Sequence, residues 1–292
     1  MDPKLIMDNS ELRLGLYEKA MPAFWTWVNK CNAAKEAGYD FIEISIDETD
    51  EKLARLEDVN FVLTVRNAVK LTGLPIRTMC LSGQRKYPLG SEHPETVKRS
   101  MDIFRKAVVL AESLGVRIIQ LAGYDVYYED STPATRKRFL ENLNQCVAYA
   151  AQHGVLLGFE TMETSFMDTV SKAMAIVRAV DSPYLHVYPD IGNCTNASKI
   201  YHTSLIDDLH SGQGHIVAVH LKETIVGQYR EVPYGKGHVD FRNSIKTCLS
   251  LGVRMFVAEF WYDPTTDALD VMKANQAFLT GFLHEKELTS LK

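Results

Sequence analysis

The sequence predicts an α/β fold in which eight parallel strands and their helices close into a single (β/α)8 TIM barrel. Eight short runs rich in Val, Ile and Leu recur along the 292 residues, and they are continuous, as in strands covered on both faces. A glycine that would end a helix stands before six of these runs. Eight such units fit the chain, because a barrel of this kind needs about 250 residues plus insertions.

The strand runs can be assigned in order. The first, LRLGLY, lies near residue 14 and has no glycine before it. Four glycine-led runs follow, which are EAGYDFIEISI, LTGLPIRTMCLS, SLGVRIIQLAG and QHGVLLGFET. The sixth, YLHVYPDIGN near residue 190, lacks the glycine but fits the spacing, and the last two are SGQGHIVAVHL and SLGVRMFVAEF. Glycine suits the left-handed residue after a helix, because other side chains would clash there.

The segments between the strand runs keep helical spacing. In PETVKRSMDIFRKAVVLAESLG, one helical face carries the apolar residues Val97, Met101, Phe104, Val108 and Ala111. A doubly wound parallel sheet is the alternative fold, but the first strand is not followed by G-x-G-x-x-G and the chain has no Walker-type loop. Since no linker divides the chain, we expect one domain over residues 1–292, with a barrel core at about 12–283.

The composition indicates a small-molecule partner. The net charge is −5, and no run of Lys and Arg alternates with aromatic residues, so we expect neither nucleic acid nor an anionic membrane as partner. Five widely spaced cysteines without a C-x-x-C pair indicate reduced thiols. The N-terminus lacks the features of a signal peptide, and no stretch approaches about 18 apolar residues. We therefore expect a cytoplasmic protein.

Polar residues at the ends of the strand runs are the candidates for chemistry, because barrel enzymes react at the C-terminal ends of their strands. In the second half of the chain, four consecutive runs end at Glu160, Asp190, His220 and Glu259. Three carboxylates in one pocket would repel unless a cation compensated them. One imidazole and three oxygen donors suit Zn, Mn, Co or Mg, and the lack of thiolates argues against a structural zinc.

Each of these residues also has a simpler interpretation. A single glutamate at a strand end is often only a solvated residue, and His220, between IVAV and LK, could be a core histidine. The agreement of four successive strands favours a common metal site. His238, in YGKGHVDF, is a further candidate on a loop over the pocket.

Six segments give the sequence a family resemblance: GLYEKA, CLSGQRKYPLGS, IIQLAGYDVYY, YPDIGN, HIVAVHLKET and VPYGKGHVDF. Together they resemble the L-xylulose 5-phosphate / L-ribulose 5-phosphate 3-epimerase family, within the group of metal-dependent xylose-isomerase-like barrels. The likeness runs from about residue 12 to residue 280. It implies a divalent metal on Glu160, Asp190, His220 and Glu259, with the two glutamates also serving as acid and base.

The resemblance further implies a phosphorylated ketopentose as substrate. Related epimerases of free keto sugars typically carry a His three positions after the strand-six Asp, whereas this chain has Asn193, which favours the phosphorylated-sugar branch. Cations or backbone N–H groups must hold the phosphate away from the metal. The candidates for substrate or phosphate binding are Lys19, Ser82, Arg85, Lys86, Tyr124, Asn193 and Lys222. We also expect a homodimer.

Inversion of a carbon beside a ketone requires removal of a weakly acidic proton, and a metal stabilises the enediolate that forms. Glu160 and Glu259, on strands five and eight, would act as base and acid on opposite faces. Three alternatives stay open. They are an aldose–ketose isomerase, a noncatalytic sugar-binding barrel, which would not need two opposed glutamates, and a DNA-repair endonuclease, which should carry a basic face and more metal ligands.

Overall fold

The computed structural model describes residues 12–285 of the chain. The strands in this range are β1 Arg13–Tyr17, β2 Phe41–Ile46, β3 Ile76–Leu81, β4 Ile118–Ala122, β5 Leu156–Glu160, β6 Leu185–Val187, β7 Val219–Leu221 and β8 Met255–Ala258. They form one sheet in the order β6-β5-β4-β3-β2-β1-β8-β7, and all their pairings are parallel. The predicted (β/α)8 barrel is therefore confirmed.

Backbone hydrogen bonds between the two ends of this sheet close the barrel. The amide of Val187 donates to the carbonyl of His215 over 2.9 Å, and the amide of Val217 donates back to Val187 over 3.1 Å. One step further along, the His220 amide donates to the Pro189 carbonyl over 2.9 Å. The closure places the residues that follow β6 directly beside β7.

The helices lie outside the sheet. They are α1 Trp27–Glu36, α2 Asp50–Ala54, α3 Val59–Thr72, α4 Pro94–Leu114, α5 Pro133–Gln152, α6 Val170–Val180, α7 Ile191–Tyr201, α8 Leu205–Ser211, α9 Phe241–Ser250 and α10 Ala268–Leu283. Short 3-10 turns at Glu18–Ala20 and Ser82–Arg85 follow β1 and β3. None of the helices between residues 12 and 285 combines the length and apolar character needed to cross a membrane.

The sequence signals for the elements correspond to local structure. Gly73 and Gly115 end α3 and α4 in the left-handed conformation, with φ of 74° and 76°. All six residues of β2 are buried, its Glu43 and Ser45 included, as expected of a strand that is covered on both faces. On the predicted apolar face of α4, four of the five residues are buried, namely Met101, Phe104, Val108 and Ala111. The five cysteines are buried and free.

Candidate metal centre and active site

Four side chains from neighbouring strands meet at the C-terminal end of the barrel. Glu160 is the last residue of β5, Asp190 follows β6 and caps α7, His220 is the middle residue of β7, and Glu259 directly follows β8. One nitrogen or oxygen atom from each lies within 4.8 Å of those of the other three, and all four residues are buried. The structure thus brings together all four residues that the sequence suggested as ligands.

The distances within the cluster show how closely the charges approach. Nδ1 of His220 lies 2.9 Å from Oε2 of Glu259 and 3.3 Å from Oε1 of Glu160. The Lys222 ammonium lies 2.5 Å from Oδ2 of Asp190 and 3.5 Å from Oε2 of Glu259. Lys222 is itself only 4% exposed, so its charge acts on the carboxylates with little screening by solvent.

Asp190 is held in place by the start of α7. Its Oδ1 accepts the amide of Asn193 over 2.9 Å, which is the N-cap bond of the helix. Its own amide donates to Oγ1 of Thr161 over 3.0 Å, and the Asn193 amide group donates to the Thr161 carbonyl over 2.8 Å. Gly192 allows the close approach, because a Cβ there would lie 2.8 Å from the Lys222 carbonyl. Oδ2 of Asp190 is left to face the cluster.

The crowded charges shift the pKa values in opposite directions. Burial raises the pKa of Asp190 to about 8, and repulsion from Glu259 and Glu160 adds to this against the attraction of Lys222. Burial also opposes ionisation of Glu259, but Lys222 and His220 outweigh it and hold the pKa of that carboxyl well below its usual range. Burial would lower the pKa of His220, yet Glu43 and Glu259 raise it well above its ordinary value. A cation that binds Nδ1 of His220 must therefore replace a proton.

The donor set fits a divalent cation. Three carboxylates and one imidazole are the ligands expected for a borderline or hard ion. Among residues 12–285, Oδ2 of Asp190 and Oε2 of Glu259 are buried without a hydrogen bond of good geometry, although Lys222 lies near both. Buried oxygens of this kind are rare unless they have another partner. The site can therefore hold such an ion on Glu160, Asp190, His220 and Glu259.

Behind His220 lies a buried carboxylate that the sequence reading missed. Oε1 of Glu43, in β2, is 2.6 Å from Nε2 of His220, and both residues are 0% exposed. Oε2 of Glu43 accepts hydrogen bonds from Tyr188 and Thr78, each over 2.8 Å. The sequence signal was present in FIEISI, where a glutamate interrupts an apolar run.

The pocket in front of the cluster contains most of the predicted substrate-binding residues. Its lining includes, from those predicted, Lys19, Ser82, Arg85, Asn193 and Lys222. It also includes residues that were not predicted from the sequence, among them Glu163, Tyr229, Arg230 and Trp261. These four residues lie on loops, and the path of a loop over the barrel cannot be predicted from the sequence.

Two of the predicted binding residues are absent from this lining. Lys86 is exposed, and its ammonium lies 5.5 Å from the ring of its neighbour Tyr87. Tyr124 is buried and donates to Glu163 over 2.5 Å, so it supports a residue of the lining. His238, the further candidate on the loop, lies 3.2 Å from the Thr224 hydroxyl and is likewise absent from the lining.

Arg85 is placed by aromatic side chains at the pocket wall. Its guanidinium lies 5.8 Å from the ring centre of Tyr124 and 5.2 Å from that of Tyr127. Both tyrosines donate hydrogen bonds to Glu163. Nε of Arg85 is buried without a hydrogen-bond partner in the part of the chain that the structure describes. Arg85 is thus held at the pocket wall by its aromatic neighbours and forms part of the lining.

The loop between β7 and α9 closes one side of the pocket and is pinned by Glu223. This buried carboxylate accepts hydrogen bonds from the amides of Thr224, Gly235 and Val239, over 3.0 to 3.1 Å. Both ends of the loop are therefore tied to one side chain. The segment between them carries Tyr229 and Arg230 to the pocket.

Comparison with known proteins agrees with this fold. Residues 31–281 match the model of the xylose isomerase-like TIM barrel family. An L-ribulose-5-phosphate 3-epimerase, UlaE, of Shigella sonnei is 40% identical over 271 residues, covering 92% of this chain and 94% of that protein. An Escherichia coli O157:H7 relative of the same name gives the same identity and coverage.

Solved structures show the same fold at lower identity. D-allulose 3-epimerase from Methylomonas sp., in complex with D-allulose, superimposes with a TM-score of 0.75 at 18% identity, covering 93% of this chain and 97% of that one. The predicted epimerase resemblance is confirmed, and the names of the curated relatives confirm the prediction of an isomerase. The chain belongs to the xylose isomerase-like TIM barrel family.

Proposed function

We propose that this protein is a divalent-metal-dependent sugar-phosphate 3-epimerase that interconverts L-ribulose 5-phosphate and L-xylulose 5-phosphate. The observation that carries the proposal is the buried cluster in which Glu160 and Glu259 flank His220 and Asp190. The relatives' name, L-ribulose-5-phosphate 3-epimerase, supports the choice of substrate. The proposed cofactor is Zn, Mn, Co or Mg.

The two glutamates would carry the proton. When bound, a divalent ion would supply Lewis-acid stabilisation of the negative charge that develops as the proton leaves C3. One glutamate takes the proton from C3, and the other returns a proton to the same carbon from the opposite face. They extend from β5 and β8, with His220 between them at 3.3 and 2.9 Å, which supports an approach from two sides.

Cations at the far side of the pocket would hold the phosphate. Arg85 and Lys19 both line the pocket, but the Lys19 ammonium is already 2.6 Å from Asp47. Arg230 adds a second guanidinium to the lining. Fork-shaped guanidinium groups bind phosphate in two-point contacts, so we assign the phosphate mainly to Arg85 and Arg230.

Asn193 would bind the sugar rather than the phosphate. Its Oδ1 is buried and has no hydrogen-bond partner within the described residues, while its amide group is held by Thr161. A hydroxyl of the substrate can supply the missing donor. Lys222, which also lines the pocket, is positioned to donate to a substrate oxygen near the carboxylates.

The test uses L-ribulose 5-phosphate in deuterated water after exhaustive chelation and addition of Mn, Co or Zn. We expect no turnover without metal, and solvent deuterium at C3 of the product with metal. Glu160→Gln and Glu259→Gln should each lower kcat about 10²–10⁴-fold, because each removes one proton-transfer group. Label at C2 of an aldose product, or at C1 of the recovered ketose, would instead identify an aldose–ketose isomerase. Full activity of the metal-free protein, or no turnover with any of these metals, would contradict the proposal.

Three further expectations remain proposals. The described residues 12–285 form one barrel, which supports a single domain over that range; the first 11 and last seven positions of the proposed domain 1–292 lie outside the described residues. The five free, buried cysteines suit a reducing compartment, and we propose a cytoplasmic location on that ground. The homodimer can be checked by sedimentation.

A further inference from the structure

We propose that Glu43 is a positioning residue that fixes the tautomer of His220, so that Nδ1 presents its lone pair to the metal site. This inference rests on the proposed metal-dependent function. It concerns a residue behind the site, outside the four ligands. A structural role in the barrel interior is the competing explanation.

The hydrogen-bond pattern determines which nitrogen carries the hydrogen. A carboxylate only accepts hydrogen bonds, so Nε2 of His220, at 2.6 Å from Oε1 of Glu43, must donate. In a neutral imidazole the other nitrogen then has the lone pair. That nitrogen, Nδ1, is the one that faces Glu160 and Glu259 at 3.3 and 2.9 Å. Glu43 therefore selects the tautomer that the ligand cluster requires.

The surroundings of Glu43 fix its own direction. Tyr188 and Thr78 both donate to Oε2, which leaves Oε1 for His220. The Tyr188 ring also packs edge-on against the imidazole, with ring centres 4.9 Å apart. These contacts come from β2, β3, β7 and the chain just after β6, so strands on opposite sides of the barrel hold one imidazole.

Packing alone does not explain a carboxylate at position 43, because burial of a charge costs free energy. Glu43 is 0% exposed, and a buried charge without partners costs several kcal/mol, whereas an apolar residue of similar size would fill the space at no such cost. Metal-binding histidines commonly donate their second N–H to a carboxylate, and loss of that partner typically weakens metal affinity about 10–100-fold. The arrangement here matches that role.

The test compares Glu43→Leu, which has no acceptor, with Glu43→Gln, which keeps one without the charge. Glu18→Gln is the matched control, because it makes the same chemical change at a buried carboxylate near the barrel mouth that contacts other residues. Zinc affinity is measured by chelator competition, and the electronic spectrum of the cobalt-loaded protein reports the ligand geometry. Measurements are made below the unfolding temperature of each variant.

We expect Glu43→Leu to raise the zinc Kd about 10–100-fold and to change the cobalt spectrum. Glu43→Gln should give a smaller increase in the zinc Kd. Glu18→Gln should keep the zinc Kd and the cobalt spectrum of the wild type, although it is less stable. In the zinc-loaded wild type, nitrogen NMR of His220 should show the hydrogen on Nε2. The Nε2 hydrogen should exchange faster in Glu43→Gln.

Wild-type zinc affinity and cobalt spectra in Glu43→Gln and Glu43→Leu would overturn the inference, while leaving the proposed function intact. If Glu43→Leu does not fold, an unchanged Kd and unchanged Nε2 exchange in Glu43→Gln are sufficient to overturn it. If the wild-type protein epimerises without binding any of the metals, the proposed metal dependence and this inference both fail.

Discussion

We predict that the buried carboxylate of Glu18, directly after β1, stabilises the contacts of this segment with the neighbouring helices α1 and α2. Loss of its charge should lower the free energy of unfolding by a measurable amount. It is 1% exposed and is paired with Lys52 at 2.7 Å, Arg55 at 2.9 Å and Lys30 at 3.1 Å. Its second oxygen also accepts the amide of Ser45, in β2, over 2.9 Å. One negative charge thus compensates three cations.

Glu18→Gln keeps the size and one acceptor but leaves the three cations facing one another. Removal of one partner from a buried ion pair costs about 3–5 kcal/mol. We expect the lower end, about 3 kcal/mol, because the side chains of Lys52 and Arg55 are 14% and 12% exposed and can turn toward water. For a chain of 292 residues, that corresponds to a fall in Tm of about 5 °C.

The dependence on pH distinguishes charge from packing. Burial would raise the pKa of Glu18, but Lys52, Arg55 and Lys30 outweigh burial and hold it well below its usual range. A carboxyl whose pKa is lower in the folded than in the unfolded state contributes its full stability above the unfolded value of about 4.3. That stability is lost as the pH falls toward the folded pKa. The difference between wild type and Glu18→Gln should therefore be largest near pH 7 and shrink below about pH 4.

Thermal unfolding followed by circular dichroism from pH 7 down to acid conditions is the assay. A difference in Tm that stays constant over this range would show that the effect comes from packing. A difference near zero at pH 7 would refute the ion-cluster argument altogether, because the three cations would then not need the carboxylate.

Two further predictions concern the pocket. Arg85→Ala should raise KM for the sugar phosphate at least about tenfold, because a charge-assisted hydrogen bond is worth about 1.5–3 kcal/mol. Its effect on any activity toward the unphosphorylated sugar should be smaller. Lys86→Ala, at the exposed neighbouring position, is the control, and equal effects of both variants would exclude a specific phosphate contact. Lys222→Met should lower the stability of the chelated protein by about 3–5 kcal/mol, because the buried Glu259 carboxylate, which Lys222 helps to keep ionised, loses that counter-charge. The deficit should shrink when zinc is added, and an equal deficit with and without zinc in thermal unfolding would contradict this reasoning.

The sequence predicted the barrel and the ligand cluster because both follow from regular features. Strand runs buried on both faces are continuous, and helix ends carry glycine, so the eight units could be counted. The ends of parallel strands meet at one edge, so Glu160, Asp190, His220 and Glu259 could be grouped without knowledge of any distance. Their grouping in the structure follows from topology alone.

The other pocket residues could not be predicted, because the spacing of residues in the sequence does not determine in which direction a loop side chain points. Arg85 and Lys86 are adjacent and chemically similar, yet Arg85 ends a 3-10 turn and lines the pocket while Lys86 is exposed. Arg230 lies ten residues after His220, on a loop whose path depends on hydrogen bonds to Glu223. Glu43 could have been noticed as a charge in an apolar strand, but its partner is 177 positions away.

The anchoring of the β7–α9 loop by Glu223 has a consequence for how such enzymes diversify. The amides of Thr224, Gly235 and Val239 all donate to one carboxylate. The two ends of the loop are therefore held by hydrogen bonds that do not involve the side chains between them. Substitutions or insertions between these ends, in the segment that includes Arg230, can change the side chains that line the pocket while the hydrogen bonds to Glu223 stay the same. Sequence change in this segment can thus alter the pocket lining without loss of the three hydrogen bonds that hold its ends.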